Sequence, residues 1–223
     1  MKQKVGLLTI GQSPRVDMTP EMKMFLGEQI ELVEMGAIDG MSGEELKELA
    51  PVPGDLTYVS RLKDGGSIKL SKQALLPKLQ DKIKQLEAAG VSSTILACTG
   101  SFPPFQHEKP LLFPDKVLAS VVQAVLQKGT LGIIMPLAEQ LDLTKEKWGG
   151  SGLDIKFASA SPYEPADFSE AAKELREQQA DLIVLDCMGY TFDHQSLVRK
   201  VSGVPVILSR SIVAKVAGEL AAG

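Results

Sequence analysis

The chain has 223 residues, 44% of them hydrophobic and 23% charged, an ordinary balance for a folded protein that excludes wholesale disorder. On the usual length prior it amounts to roughly one and a half domains, enough to bury a core without staples. Its net charge of −4 gives no basic field for nucleic acid or an anionic membrane surface.

Short β-branched runs alternate with longer amphipathic stretches, the pattern of an α/β protein with parallel strands. Residues 5–10 read as a strand, followed by the polar turn Gly11-Gln12-Ser13-Pro14-Arg15. A helix over 19–27 opens with Pro20 at its first position and Glu21 in its first turn. A strand over 30–35 and a short helix over 42–49 follow, the helix beginning with a capping box at Ser42 and Glu45. Strands over 57–62 and 67–70 flank Lys63-Asp64-Gly65-Gly66, a β-hairpin signal. A long helix over 71–89 ends at Gly90, with Pro77 expected to kink or reset it.

A strand over 94–97 delivers Cys98, and the proline-rich stretch 99–114 reads as a loop with a short strand at 111–113. A helix over 115–128 comes next. The pattern then restarts with strand 131–135, helix 136–148, a glycine-rich turn and strand 154–158. Helix 166–179, strand 182–186, helix 193–201, strand 204–208 and helix 211–221 complete the chain. No apolar run approaches the roughly 20 residues of a membrane span, and the start carries no signal-peptide cleavage pattern.

The restart resembles an internal repeat. Gly6-Leu7-Leu8-Thr9-Ile10 matches Gly132-Ile133-Ile134-Met135-Pro136, and Thr94–Gly100 matches Ile183–Gly189. Residues 113–121 match 208–216, in the same order. Any two strand–helix units share a burial pattern, so duplication and simple likeness both remain open.

Two cysteines and two histidines fall short of a disulfide framework or a four-ligand zinc site. Reduced thiols, a cytoplasmic location and no metal are expected. Each cysteine follows a buried strand and precedes a glycine by two residues: Cys98 with Gly100, and Cys187 with Gly189. Ligands of open parallel sheets bind beyond the carboxyl ends of strands. A thiol there meets free backbone N–H groups that stabilise its thiolate. Glycine at the second position would let a ligand approach the backbone. The alternative is that each cysteine is a small buried hydrophobe. Arg15 reads either as a bidentate clamp on a carboxylate or as an exposed turn arginine. Arg61 and Arg210 are expected to be solvated, His107 to lie at the surface, and Asp186 to be structural. Trp148 reads as an edge-packing residue.

Ala97-Cys98-Thr99-Gly100 and Asp186-Cys187-Met188-Gly189-Tyr190, on two similar α/β halves, resemble the strand ends of the aspartate/glutamate racemase superfamily. Within it the chain is most similar to the AroM family, through Thr9-Ile10-Gly11-Gln12-Ser13-Pro14-Arg15 and Ser60-Arg61-Leu62-Lys63-Asp64-Gly65 together with both cysteine segments. The resemblance implies two pseudo-symmetric flavodoxin-like lobes with parallel sheets and an active-site cleft between them. The first lobe would be residues 1–114 joined by the C-terminal helix 209–223, and the second 115–208. It also implies cofactor-independent racemase- or isomerase-like chemistry on a small carboxylate. Cys98 and Cys187 would be catalytic, and Gln12, Ser13, Arg15, Thr99, Gly100, Ser101, Met188, Gly189 and Tyr190 would bind substrate. Nucleic acid and membrane are not expected partners; a homodimer is the assembly considered.

The chain departs from the racemase pattern in two places. The first turn carries no acid, and Gly189 stands where a histidine is usual, with His194 the nearest one along the chain. A non-catalytic carboxylate-binding or regulatory protein is therefore the alternative. A redox pair is the third reading, and no glycine-rich nucleotide-binding motif follows any strand.

Overall fold

The apolar run that begins at Val5 is buried residue after residue, as a central strand of a parallel sheet must be when both faces are covered. In the computed structural model, which describes residues 2–221, the chain forms two compact units. One runs to Pro114 and resumes at Val213, and the other is Asp115–Ile212.

The first unit contains β1 (Gln3–Thr9), α1 (Thr19–Leu26), β2 (Ile30–Gly36), α2 (Gly43–Lys47), β3 (Thr57–Arg61), β4 (Ser67–Ser71), α3 (Lys72–Ala88), β5 (Ser93–Leu96) and β6 (Leu111–Leu112). Its main sheet has the order β2-β1-β5-β6, parallel throughout. The hairpin β3–β4 is a separate antiparallel pair. The capping box forms as the sequence suggests: Ser42 Oγ accepts from Glu45 N–H, and the Glu45 carboxylate accepts from Ser42 N–H at 2.7 Å. Pro77 does not reset α3, which is a single helix. The proline stands close to the N-terminal end, so its missing N–H costs one early bond and the Leu75, Leu79, Ile83 and Leu86 stripe stays in register against the core.

The second unit follows with α4 (Pro114–Val125), β7 (Thr130–Met135), α5 (Leu141–Trp148), β8 (Asp154–Ser159), α6 (Phe168–Glu177), β9 (Leu182–Leu185), α7 (Phe192–Ser202) and β10 (Val206–Leu208), and α8 (Ser209–Ala221) begins in it and belongs to the first unit from Val213 on. Its sheet order is β10-β9-β7-β8, again parallel. The expected helix from 136 is corrected. Leu137 is extended and no side chain caps it, so only a short 3-10 turn at Ala138–Gln140 precedes α5. Elsewhere a polar cap sets the start: Asp167 accepts from Glu170 N–H ahead of α6, and Thr191 from His194 N–H ahead of α7.

The two sheets share one topology, with β7, β8, β9 and β10 in the places of β1, β2, β5 and β6. The likeness extends to packing. A Cβ on Gly6 of β1 would come within 3.2 Å of Leu86, and one on Gly132 of β7 within 3.0 Å of Leu175. Each glycine thus admits a leucine from the helix crossing its sheet. Two of the three sequence matches fall on these equivalent strands, and the third falls on the helices α4 and α8 that follow β6 and β10, an agreement in order that favours duplication over simple likeness.

Asp186 and Lys147 form an ion pair at 2.6 Å inside the second unit, their side chains 5% and 8% exposed. The indole N–H of Trp148 donates to the same carboxylate at 2.9 Å. Trp148 is therefore a buried core residue rather than an edge contact. Removing one partner of a buried pair costs about 3–5 kcal/mol. Lys147→Ala is expected to lower unfolding free energy by about that amount in urea titration. Lys145→Ala, which breaks an exposed pair with Asp142, should change it by less than about 1 kcal/mol.

Candidate functional site

Strand β5 ends at Leu96 with its pairing still continuing for one residue: Ala97 N–H donates to Leu8 C=O at 2.7 Å. The chain then turns, and the Gly100 N–H points back to Cys98 Sγ at 3.4 Å. The second unit repeats this construction. Asp186 N–H donates to Ile134 C=O at 2.9 Å, and Gly189 N–H points to Cys187 Sγ at 3.4 Å. Cys98 is half-buried and Cys187 is buried. An amide hydrogen aimed at sulfur favours the charged thiolate over the neutral thiol.

The glycine in each turn has a reason that the sequence alone does not reveal. A Cβ on Gly100 would lie 2.5 Å from the ring of Tyr58, and one on Gly189 would lie 2.5 Å from the hydroxyl of Tyr163. A tyrosine of the protein itself occupies the space that was expected to admit a ligand. Tyr58 comes from β3, and its hydroxyl donates to Ser101 C=O at 2.8 Å. Tyr163 comes from the loop after β8, and its hydroxyl lies 3.9 Å from Cys187 Sγ. Neither tyrosine was singled out from sequence, since each is far along the chain from the glycine it covers.

The first turn lies at the end of β1, beside the end of β5 in the same sheet. Its residues are tied to their surroundings. Gln12 N–H donates to Arg61 C=O, and the Gln12 side-chain oxygen accepts from Lys63 N–H at 2.9 Å. Ser13 donates through its N–H and its hydroxyl to Asp39, which also accepts from Gly36 N–H. Asp39 thus brings a carboxylate to a turn that lacks an acid of its own, from a position that sequence reading missed.

Arg15 is 2% exposed, which corrects the reading of an exposed turn arginine. Its guanidinium grips Asp17 with two hydrogen bonds of 2.8 Å, and donates to Thr9 Oγ1 at 2.9 Å. The clamp exists, but the carboxylate it holds in this structure is the protein's own. Burial alone would raise the Asp17 carboxyl; the hydrogen bonds and charge of Arg15, with a smaller contribution from Arg61, hold it below its ordinary value.

Thr99 is buried and Ser101 exposed beside Cys98. Two residues of the second unit that were expected to bind substrate are buried. Met188 is 2% exposed. Tyr190 is fully buried, donates its hydroxyl to Ala160 C=O at 2.8 Å, and packs edge-on against Phe168. Burial, reinforced by Cys187, Asp186 and Tyr163, pushes the Tyr190 phenol well above its ordinary value, so it stays a neutral donor. Arg210, expected in solvent, is 1% exposed and donates to the carbonyls of Met188 and Gly189, bracing the cysteine turn from behind. His194 stacks on Phe168 and accepts from Thr191 N–H. His107 is exposed, as expected. Among the described residues no group of three or more His, Cys, Asp or Glu could hold a metal ion, and no helix is long and apolar enough to cross a membrane.

The packing of tyrosine on glycine sets a measurable requirement. Gly100→Ala and Gly189→Ala each force a methyl group into an aromatic ring, and overpacking of this kind typically costs about 1–3 kcal/mol. Both variants should unfold at lower urea concentration than the parent. Gly149→Ala, whose added methyl meets nothing within 4 Å and whose φ is −61°, should not.

This arrangement has parallels among known proteins. Arylmalonate decarboxylase in its unliganded form superposes with a TM-score of 0.62 at 14% identity, covering 100% of this chain and 94% of that one. Allantoin racemase from Klebsiella pneumoniae gives 0.60 at 16% identity, over 99% and 88% of the two chains. Aspartate racemase from Picrophilus torridus gives 0.60 at 14% identity, over 98% and 94%. At such identities the likeness establishes the fold, an aspartate/glutamate racemase-like pair of α/β units. No curated protein sequence matches the chain. The family model described as AroM protein matches residues 5–221, and the chain belongs to the AroM family.

Proposed function

We propose that the protein is a cofactor-independent racemase- or isomerase-type enzyme acting on a small carboxylate, with Cys98 and Cys187 as its acid–base pair. The observation that carries this reading is the repeated turn: in each unit a thiol at the end of a central strand accepts the N–H of the glycine two residues later. The racemases and the decarboxylase that share the fold lend it support as a class of chemistry.

The step balances without a further reagent. One thiolate removes the proton from the carbon next to the substrate carboxylate and becomes a thiol. The electron pair left behind spreads into the carboxylate. The other thiol then gives its proton to the opposite face of that carbon and is left as the thiolate. Racemisation requires both sulfurs to reach the same carbon. The polar groups at the β1 and β5 ends that would orient the carboxylate are Gln12, Ser13, Thr99 and Ser101, with backbone N–H groups of the turns supplying charge stabilisation.

The test is solvent deuterium incorporation at the α-carbon across a panel of small chiral acids, followed by NMR. The unsubstituted protein should exchange at least one of them. Because a positioned acid or base contributes about 10²–10⁴-fold, Cys98→Ser and Cys187→Ser should each slow that exchange by at least roughly a hundredfold. Exchange that is indifferent to both substitutions would overturn the two-thiol mechanism. Thermal stabilisation by carboxylates with no exchange at all would overturn the enzyme reading in favour of a binding protein.

A further inference from the structure

Tyr58 and Tyr163 cover equivalent glycines, yet their hydroxyls go to different places. The Tyr58 hydroxyl donates to a backbone carbonyl, that of Ser101, at 2.8 Å. The ring can therefore cover a Cys-X-Gly turn while its hydroxyl bonds to backbone. Tyr163 directs its hydroxyl to the cysteine side, 3.9 Å from Cys187 Sγ, a long approach that sulfur's size allows.

The loop that carries Tyr163 is anchored on several sides. Ala160 N–H donates to Met135 C=O, and Ala160 C=O receives the buried Tyr190 hydroxyl. Tyr163 N–H donates to Ser161 Oγ at 3.2 Å. Prolines at 162 and 165 flank the tyrosine and restrict the backbone on both sides. On the facing side, Arg210 holds the Met188 and Gly189 carbonyls, so the turn cannot easily rotate its amide away from the sulfur.

We propose that Tyr163 is a positioning residue for Cys187: its ring keeps the Gly189 amide directed at the sulfur, and its hydroxyl supports that sulfur as a thiolate. The proposal deepens the acid–base role given to Cys187 and rests on it for its kinetic consequence alone. A hydroxyl donating to a thiolate favours the charged form, and its loss disfavours that form. The phenol remains protonated throughout and donates a hydrogen bond; no proton leaves it.

Tyr163→Phe separates the hydroxyl from the ring, because the phenyl group still covers Gly189. The experiment follows alkylation of each cysteine by iodoacetamide against pH, with the two sites resolved by peptide mass spectrometry and folding checked by thermal melting. In the variant, the Cys187 profile should move to higher pH, and its rate at neutral pH should fall by roughly three- to tenfold, about half to one pH unit of displacement. The plateau rate at high pH, the Cys98 profile and the melting temperature should stay nearly unchanged. An unmoved Cys187 profile, or equal displacement of both cysteines, would overturn the proposal. The alkylation result stands apart from turnover: absence of deuterium exchange in the unsubstituted protein counts against the proposed activity, while the Cys187 profile still decides the role of Tyr163. Where exchange occurs, its pH profile should move in the same direction as the alkylation profile, with KM unchanged. An exchange profile that stays fixed would overturn the kinetic part of the role.

Discussion

A parallel strand buried on both faces must stop somewhere, and at its carboxyl end the following backbone N–H groups no longer have a neighbouring strand to receive them. Buried backbone donors need partners. In this protein the central strands β5 and β9 solve the problem in the same way, by turning back so that the glycine amide finds the cysteine sulfur. That contact links the architecture of the sheets to the chemistry of the thiols. The same geometry that satisfies the backbone offers each sulfur a donor that prefers it charged.

The contact requires room, and the fold supplies it by controlled filling. Glycine follows two residues after each cysteine because a tyrosine ring stands where a Cβ would go. The rings come from unrelated places, one from a β-hairpin strand and the other from a strand–helix loop, so the repeated turn is held by parts that the repeat does not share. In the first unit the hairpin also receives Gln12, tying the cysteine turn and the first turn to a common support. In the second, Arg210 spends its buried guanidinium on the carbonyls of the turn. Two other buried cations are matched by charge: Arg15 is paired with Asp17 and Lys147 with Asp186.

Much of the fold was legible because it is written in local signals. Alternation of β-branched runs with amphipathic stretches, the Ser42 capping box and the glycine-rich hairpin each depend on a few neighbouring residues. The repeat could be read because strand-end residues recur in order. What could not be read depends on contacts between distant segments. The glycines at 100 and 189 looked like openings for a ligand, since nothing nearby in sequence announces Tyr58 or Tyr163. Tyr190 reads as a substrate-binding residue and Arg210 as a solvated arginine beside a turn, whereas tertiary packing buries both. Asp39 went unnoticed because it reaches the first turn from beyond β2, a neighbour in the sheet rather than in the chain. Helix 136–148 was overextended for a local reason: a good amphipathic pattern without a capping residue starts late.

The central claim is that an amide hydrogen of the backbone holds each cysteine sulfur, and the most direct measurement is NMR of those two amides. In protein labelled with nitrogen-15, the Gly100 and Gly189 amide resonances would be followed through a pH titration alongside the ionisation of the two thiols. Each amide proton is expected to shift downfield as its own cysteine ionises, because a hydrogen bond to a charged acceptor is stronger than one to a neutral acceptor. Glycine amide resonances that stay fixed while the thiols ionise would contradict the account.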